Sequence, residues 1–230
     1  MSQTETLMAR DGHEFSAYIA RPQGKPKGAV VVLQEIFGVN HHIRSVTDRY
    51  AAAGWLAIAP ALFDRVGRGV ELGYTEPEIQ TARGTMMQID SAKALLDVAA
   101  AAAVVRHAGK VGVVGFCWGG RLAWLAACEQ PLGAAVGYYG ARIGQNLGRT
   151  PRCPTMLHFG ERDDHIPMSE VEQIRAAYPQ GIIHVYPAGH GFACDERASY
   201  DAASAALAWQ RTQEFLDRHL TRTLKSTDAT

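Results

Sequence analysis

No charge of either sign dominates this chain. Over 230 positions, 23 lysine and arginine residues balance 23 aspartate and glutamate residues, which argues against a polyanionic partner such as nucleic acid. No apolar run approaches the roughly 18 residues that a membrane span needs. The opening residues Met1-Ser2-Gln3-Thr4-Glu5-Thr6 hold no basic segment followed by an apolar one, so a secretory signal is not expected. Cysteine is scarce. Cys117, Cys128, Cys153 and Cys194 show neither paired zinc-ligand spacing nor the density of a disulfide scaffold. No metal or cofactor is implied, and a reducing, cytoplasmic setting fits.

What is present is an alternation of short apolar runs and helical patterns. Asp11-Gly12 separates two half-alternating segments, near residues 5–9 and 14–20, and reads as a hairpin turn. Six apolar runs follow, at Ala29–Leu33, Trp55–Ala59, Val111–Gly115, Ala134–Tyr139, Thr155–Phe159 and Ile182–Tyr186; they have the composition of strands buried on both faces. Helical segments are expected near 42–53, 77–105, 119–129, 169–178 and 197–219. Ser169 and Glu172 form a capping-box pattern for the fourth of these, and Asp195 and Glu196 suit the start of the fifth. The pattern predicts one α/β domain over 1–230, a mostly parallel, doubly wound sheet of about eight strands flanked by helices, with 221–230 a flexible tail.

In such sheets the ligand lies beyond the carboxyl ends of the strands, and the loops there carry the chemistry. Val111-Gly112-Val113-Val114-Gly115-Phe116-Cys117-Trp118-Gly119-Gly120 is a strand, a sharp turn and a helix start, written G-x-C-x-G-G where hydrolases often have G-x-S-x-G. The small residues let strand and helix approach closely, and Cys117 is lifted toward the N–H groups of the helix. Those groups and the helix dipole favour a thiolate and can cradle an oxyanion. Cys128 and Cys153 lack this setting and read as apolar packing.

An acid and then a histidine after a nucleophile is the chain order of α/β-hydrolase triads. Asp163 follows Gly160 by three residues and is preferred as the acid over Asp164, while His190 stands between Gly189 and Gly191. His158 and His184 lie inside apolar runs and read as structural. Glu35, at the end of an apolar run, is costly there unless solvated, bonded or neutral. Beside Cys117 its charge would oppose thiolate formation and keep the nucleophile latent.

These residues resemble the dienelactone hydrolase family, the carboxymethylenebutenolidases. The resemblance rests on Gln34-Glu35-Ile36-Phe37-Gly38-Val39-Asn40, the elbow at Gly115–Gly120, Val136–Gly140, Gly160 through Asp163 to Pro167, and Ala188-Gly189-His190-Gly191-Phe192, together spanning about residues 28–220. It implies the α/β-hydrolase fold and a Cys117–His190–Asp163 triad. It also implies that Glu35 holds the resting thiol and receives its proton, and that the N–H groups of Ile36 and Trp118 form an oxyanion hole. The implied reaction opens a small-molecule lactone or ester through a thioester. A broader carboxylesterase or thioesterase, or a non-catalytic redox-sensing or ligand-binding homologue, are the alternatives.

One feature departs from the family, whose members bind the substrate carboxylate through two arginines. Four residues after the histidine, where one of them belongs, this chain has Cys194. Arg83, with Arg65 and Arg68 behind it, is the candidate for the other, and Arg197 is a substitute for the missing one.

Overall fold

In the computed structural model, which describes residues 2–221, the turn at Asp11-Gly12 joins strand β1 (Ser2–Met8) to β2 (Glu14–Ala20) in an antiparallel pair. The apolar runs become β3 (Ala29–Leu33), β4 (Leu56–Pro60), β5 (Val111–Phe116), β6 (Ala134–Tyr138), β7 (Thr155–Gly160) and β8 (Ile182–Tyr186). All eight belong to one sheet in the order β1-β2-β4-β3-β5-β6-β7-β8. From β4 to β8 every pairing is parallel, and only the opening hairpin and its junction with β4 are antiparallel. Every residue of β3, β4 and β6 is buried, as expected where helices cover both faces of a parallel sheet.

Helix α1 (His41–Ala52) and the terminal helix α6 (Ala202–Leu220) cover one face, meeting where Tyr50 packs on Trp209. Helices α3 (Ser91–Val105), α4 (Trp118–Glu129) and α5 (Met168–Ala177) lie on the other, with Trp124 of α4 edge-on to Tyr178. The outer segment α2 (Glu76–Met87) precedes α3.

Three helix expectations need correction. The single helix expected over 77–105 is two helices, because the Asp90 side chain accepts from the Ala92 N–H at 2.7 Å and starts α3 afresh. Helix α6 begins at Ala202 rather than 197, capped by Asp201, whose carboxylate accepts from the Ser204 N–H at 2.8 Å. Asp195 and Glu196 therefore sit in the preceding loop, where they pair with His42 and His41. The Ser169 capping box does not form, because Pro167 occupies the N-cap position and Ser169 lies inside α5. The expected tail beyond Thr221 lies outside the described residues.

Candidate active site

Because β3, β5, β6, β7 and β8 run parallel, their carboxyl ends share one edge, and the loops after them bring Glu35, Cys117, Tyr139, Asp163 and His190 to it. The turn after β5 depends on its glycines. A Cβ on Gly115 would sit 1.9 Å from the Gly119 carbonyl oxygen, and one on Gly119 would sit 2.5 Å from the carbonyl oxygens of Leu33 and Gln34. This close approach forces Cys117 to φ +53° and ψ −115°, a conformation that non-glycine residues avoid and that functional turns impose. Trp118 is the first residue of α4, so its N–H has no partner within the helix and is free to meet an anion.

Cys117 Sγ lies 3.2 Å from His190 Nε2, and His190 Nδ1 lies 2.8 Å from Asp163 Oδ2. The other carboxylate oxygen of Asp163 accepts from the N–H groups of His165 and Ile166, at 2.8 and 3.2 Å, so the carboxylate is held from two sides. Asp164, by contrast, has an 82% exposed side chain. Burial disfavours the protonated ring of His190, but the Cys117 sulfur and the Asp163 carboxylate outweigh it and push its pKa up to about 10. His158 is buried and bonded to Tyr186 Oη at 2.8 Å and Thr212 Oγ1 at 3.0 Å; burial holds its pKa well below the usual value, as a structural histidine requires.

Glu35 is only 1% exposed, and its Oε1 lies 3.4 Å from Arg197 Nη1. Among the described residues no hydrogen bond joins Glu35 to Cys117, whose sulfur is bonded to His190. Arg197 stands close enough to both Glu35 and Cys117 that their charges raise its pKa against the cost of burial. Cys194 is fully buried 3.3 Å from Tyr74 Oη; burial and then the nearby Glu35 charge push its thiol up to about 12.

A cavity of about 750 Å³ opens above Cys117, with Ile36, Trp118 and His190 in its wall. Arg83 and Arg197 line it, but Arg65 and Arg68 do not. Arg65 is held by Asp97 at 2.7 Å and Asp11 at 2.9 Å, and Arg68 pairs with Glu14 at 3.4 Å. Two further arginines, absent from the sequence expectations, enter the cavity: Arg121 and Arg142. The Arg121 Nε is buried without a partner, and burial together with the nearby Arg142 lowers its pKa. The signal for Arg121 was its position four residues after Cys117, one helical turn along α4. Tyr139 was missed as well, although it directly follows β6 at the same edge; it has φ +38° and its ring packs edge-on to His190 at 5.1 Å.

Comparison with known proteins agrees with this architecture. The chain matches the dienelactone hydrolase family model over residues 15–220. It is 34% identical over 222 residues to the carboxymethylenebutenolidase of Pseudomonas putida, covering 92% of this chain and 94% of that one. A solved structure from Klebsiella pneumoniae subsp. pneumoniae MGH 78578, described as "Putative Dienelactone Hydrolase", superposes with a TM-score of 0.81 at 34% identity, over 93% of this chain and 98% of the other. The esterase Pf2001 of Pyrococcus furiosus, at 17% identity and TM-score 0.68 over 96% and 93%, shares the fold. The chain belongs to the dienelactone hydrolase family, and is a hydrolase of the carboxymethylenebutenolidase type.

Proposed function

We propose that this hydrolase opens a small lactone or ester by acyl transfer to Cys117, with His190 as general base and Asp163 as its orienting acid. The observation that carries the reading is the unbroken hydrogen-bonded chain from Cys117 Sγ through His190 to Asp163 at the floor of the cavity. His190 takes the Cys117 thiol proton as the sulfur attacks the substrate carbonyl carbon, and the carbonyl oxygen takes the electron pair as an oxyanion facing the N–H groups of Ile36 and Trp118. Collapse breaks the carbon–oxygen bond of the ester, and His190 gives its proton to the leaving alkoxide. In a lactone that alkoxide stays tethered to the resulting thioester. His190 then removes a proton from water, the hydroxide attacks the thioester carbon, and the carbon–sulfur bond breaks to restore the enzyme.

Glu35 acts on this cycle through charge. Its carboxylate pairs with Arg197 close to Cys117, offsetting the positive charge that the guanidinium brings to the sulfur. Three more arginines line the cavity, opposed by Glu76 and Asp164, which supports acceptance of acidic substrates. A reducing cytoplasmic location would suit a nucleophilic thiol.

Intact-mass measurement during turnover of a slow aryl ester or lactone tests the mechanism. The expected result is one acyl group on Cys117 and its disappearance, with turnover, in Cys117→Ala. Near wild-type turnover by that variant would overturn it.

A further inference from the structure

Behind the Glu35–Arg197 pair, three buried side chains from separate parts of the chain converge. Glu35 follows β3, His42 is the second residue of α1, and Cys194 lies in the loop between β8 and α6. Their exposures are 1%, 1% and 0%. One carboxylate oxygen, one ring nitrogen and the sulfur all lie within 4.8 Å of one another. Neither His42 nor Cys194 has a part in the proposed hydrolysis.

The hydrogen bonding of the group is incomplete in a particular way. Glu35 Oε1 is taken by Arg197, but Oε2 is buried and has no partner. His42 Nδ1 is bonded to Asp195 Oδ1 at 3.0 Å, while its Nε2 is buried and has no partner. Unpaired buried polar atoms are uncommon and costly, and an ion is one of the few things that satisfies them. The three side chains thus offer an oxygen, a nitrogen and a sulfur donor within 4.8 Å of one another.

We propose that Glu35, His42 and Cys194 form a binding site for a single borderline-soft divalent cation of the Zn2+ class. The donor types suit it: thiolate, neutral imidazole and carboxylate are the usual protein ligands of zinc, and three of them leave a fourth position open. Zinc bonds of about 2.0–2.3 Å put neighbouring ligands about 3.3–3.8 Å apart in a tetrahedral site, so closing on the ion requires side-chain shifts of about 1 Å. On binding, the Cys194 thiol releases its proton to solvent, so a thiolate and a carboxylate face the ion, and Arg197, 3.4 Å from Glu35 Oε1, remains as a neighbouring cation that works against binding. The Asp195 carboxylate on His42 Nδ1 is the outer partner that metal-binding histidines ordinarily have: it fixes the tautomer, leaves the Nε2 lone pair free and raises its basicity. Asp195 directly follows Cys194 in the chain, so one short loop supplies both a ligand and the group that orients another.

The test is metal binding to the chelator-stripped, reduced protein, followed by calorimetry with Zn2+ and by absorbance with Co2+, whose bond to a thiolate gives a near-ultraviolet charge-transfer band. Cys117 and His190 are themselves 3.2 Å apart, so Cys117→Ser is measured alongside the wild type. Expected is one equivalent bound with a Co2+–thiolate band in both proteins, the band lost in Cys194→Ser, and affinity reduced in His42→Gln. Asp195→Asn alters a half-exposed side chain and should weaken Zn2+ about 10–100-fold; with its fold checked by circular dichroism, it carries the test if either buried variant fails to fold. No band in the wild type, a band that survives Cys194→Ser, a band lost in Cys117→Ser, or Zn2+ affinity unchanged in Asp195→Asn would each overturn the proposal. Loss of hydrolysis in Cys117→Ser bears on the acyl-transfer reading alone, and the metal readouts do not depend on it.

Discussion

Arg197 Nη1 lies 3.4 Å from Glu35 Oε1 in the buried wall close to Cys117. A guanidinium engaged in this way is not a free cation for a substrate, and its partner is not a free base for the thiol. Each cancels much of the other's effect on Cys117. Removing the carboxylate alone should therefore leave an uncompensated positive charge close to the sulfur.

Glu35→Gln keeps the shape of that side chain and deletes its charge. Alkylation of Cys117 by iodoacetamide near neutral pH is expected to quicken several-fold in the variant, since cations nearby favour the reactive thiolate. Rate measurement by mass spectrometry on Cys117 checks this, and an equal or slower rate would mean that the Glu35 charge does not reach the nucleophile.

Asp163 and Asp164 are adjacent in sequence and differ sharply in setting. Asp163→Asn keeps an acceptor for the His165 and Ile166 N–H groups but loses the charge on His190; turnover should drop about 10⁴-fold, in line with loss of the acid from a triad. Asp164→Asn should stay near wild type. The pH dependence of folding gives an independent readout. The folded protein holds a proton on His190 up to about 10, above the usual 6.5, so this contribution is complete below about 6.5 and is lost as pH rises through about 10. Urea unfolding of wild type should weaken more between about pH 7 and 10 than that of Asp163→Asn, which keeps the Cys117 contribution to the raised His190 but lacks that of the Asp163 carboxylate. Parallel curves would detach Asp163 from the histidine.

How far the residues themselves reveal this arrangement depends on the range of the interaction. The run Ala29–Leu33 matches its observed limits because burial on both faces writes itself into composition; Ile182–Tyr186 also matches its limits, but as the edge strand it is only half-buried apart from Tyr186, so the expected burial on both faces does not hold there. The break at Asp90 is invisible to periodicity, since helix-forming residues continue on both sides of it. The start of α6 was misplaced because residues 195–201 look like a charged first turn, whereas tertiary partners on α1 and at Glu35 hold them as a loop. Local spacing pointed to the Cys117, His190 and Asp163 positions that the fold brings within hydrogen-bond distance. The Glu35, His42 and Cys194 convergence carries no such spacing, because three separate segments build it.

Arg65 was a candidate for substrate binding, yet its side chain is 8% exposed and bonded to Asp97, whose side chain is 0% exposed. Burial raises the pKa of Asp97 while Arg65 opposes that rise. Removing one partner of such a pair strands the other, at a cost of about 3–5 kcal/mol. Arg65→Ala should lower unfolding stability by that order in urea titrations, without changing the ratio of kcat/KM between acidic and neutral substrates. A changed ratio with unchanged stability would return Arg65 to the substrate.

Substrate charge should instead be read by the arginines that line the cavity without a carboxylate partner among the described residues: Arg83, Arg121 and Arg142. Arg121 is the most constrained of them, with a buried, unpartnered Nε and its Nη2 3.4 Å from Ser91 Oγ. A guanidinium that has lost water and gained no counter-ion has the most to gain from an incoming carboxylate. One charge-assisted hydrogen bond contributes about 1.5–3 kcal/mol, equivalent to about ten- to a hundredfold in kcat/KM. Arg121→Met retains bulk and removes the charge; it should depress kcat/KM for a carboxylated lactone by that factor and leave a neutral lactone of similar size within a few-fold. Arg83→Ala should act in the same sense. Because Glu76 and Asp164 share the cavity wall, neutral substrates are expected to remain competent in the wild type, within about 200-fold of acidic ones. Equal losses on both substrates in Arg121→Met would show that the residue supports the elbow helix and does not read charge.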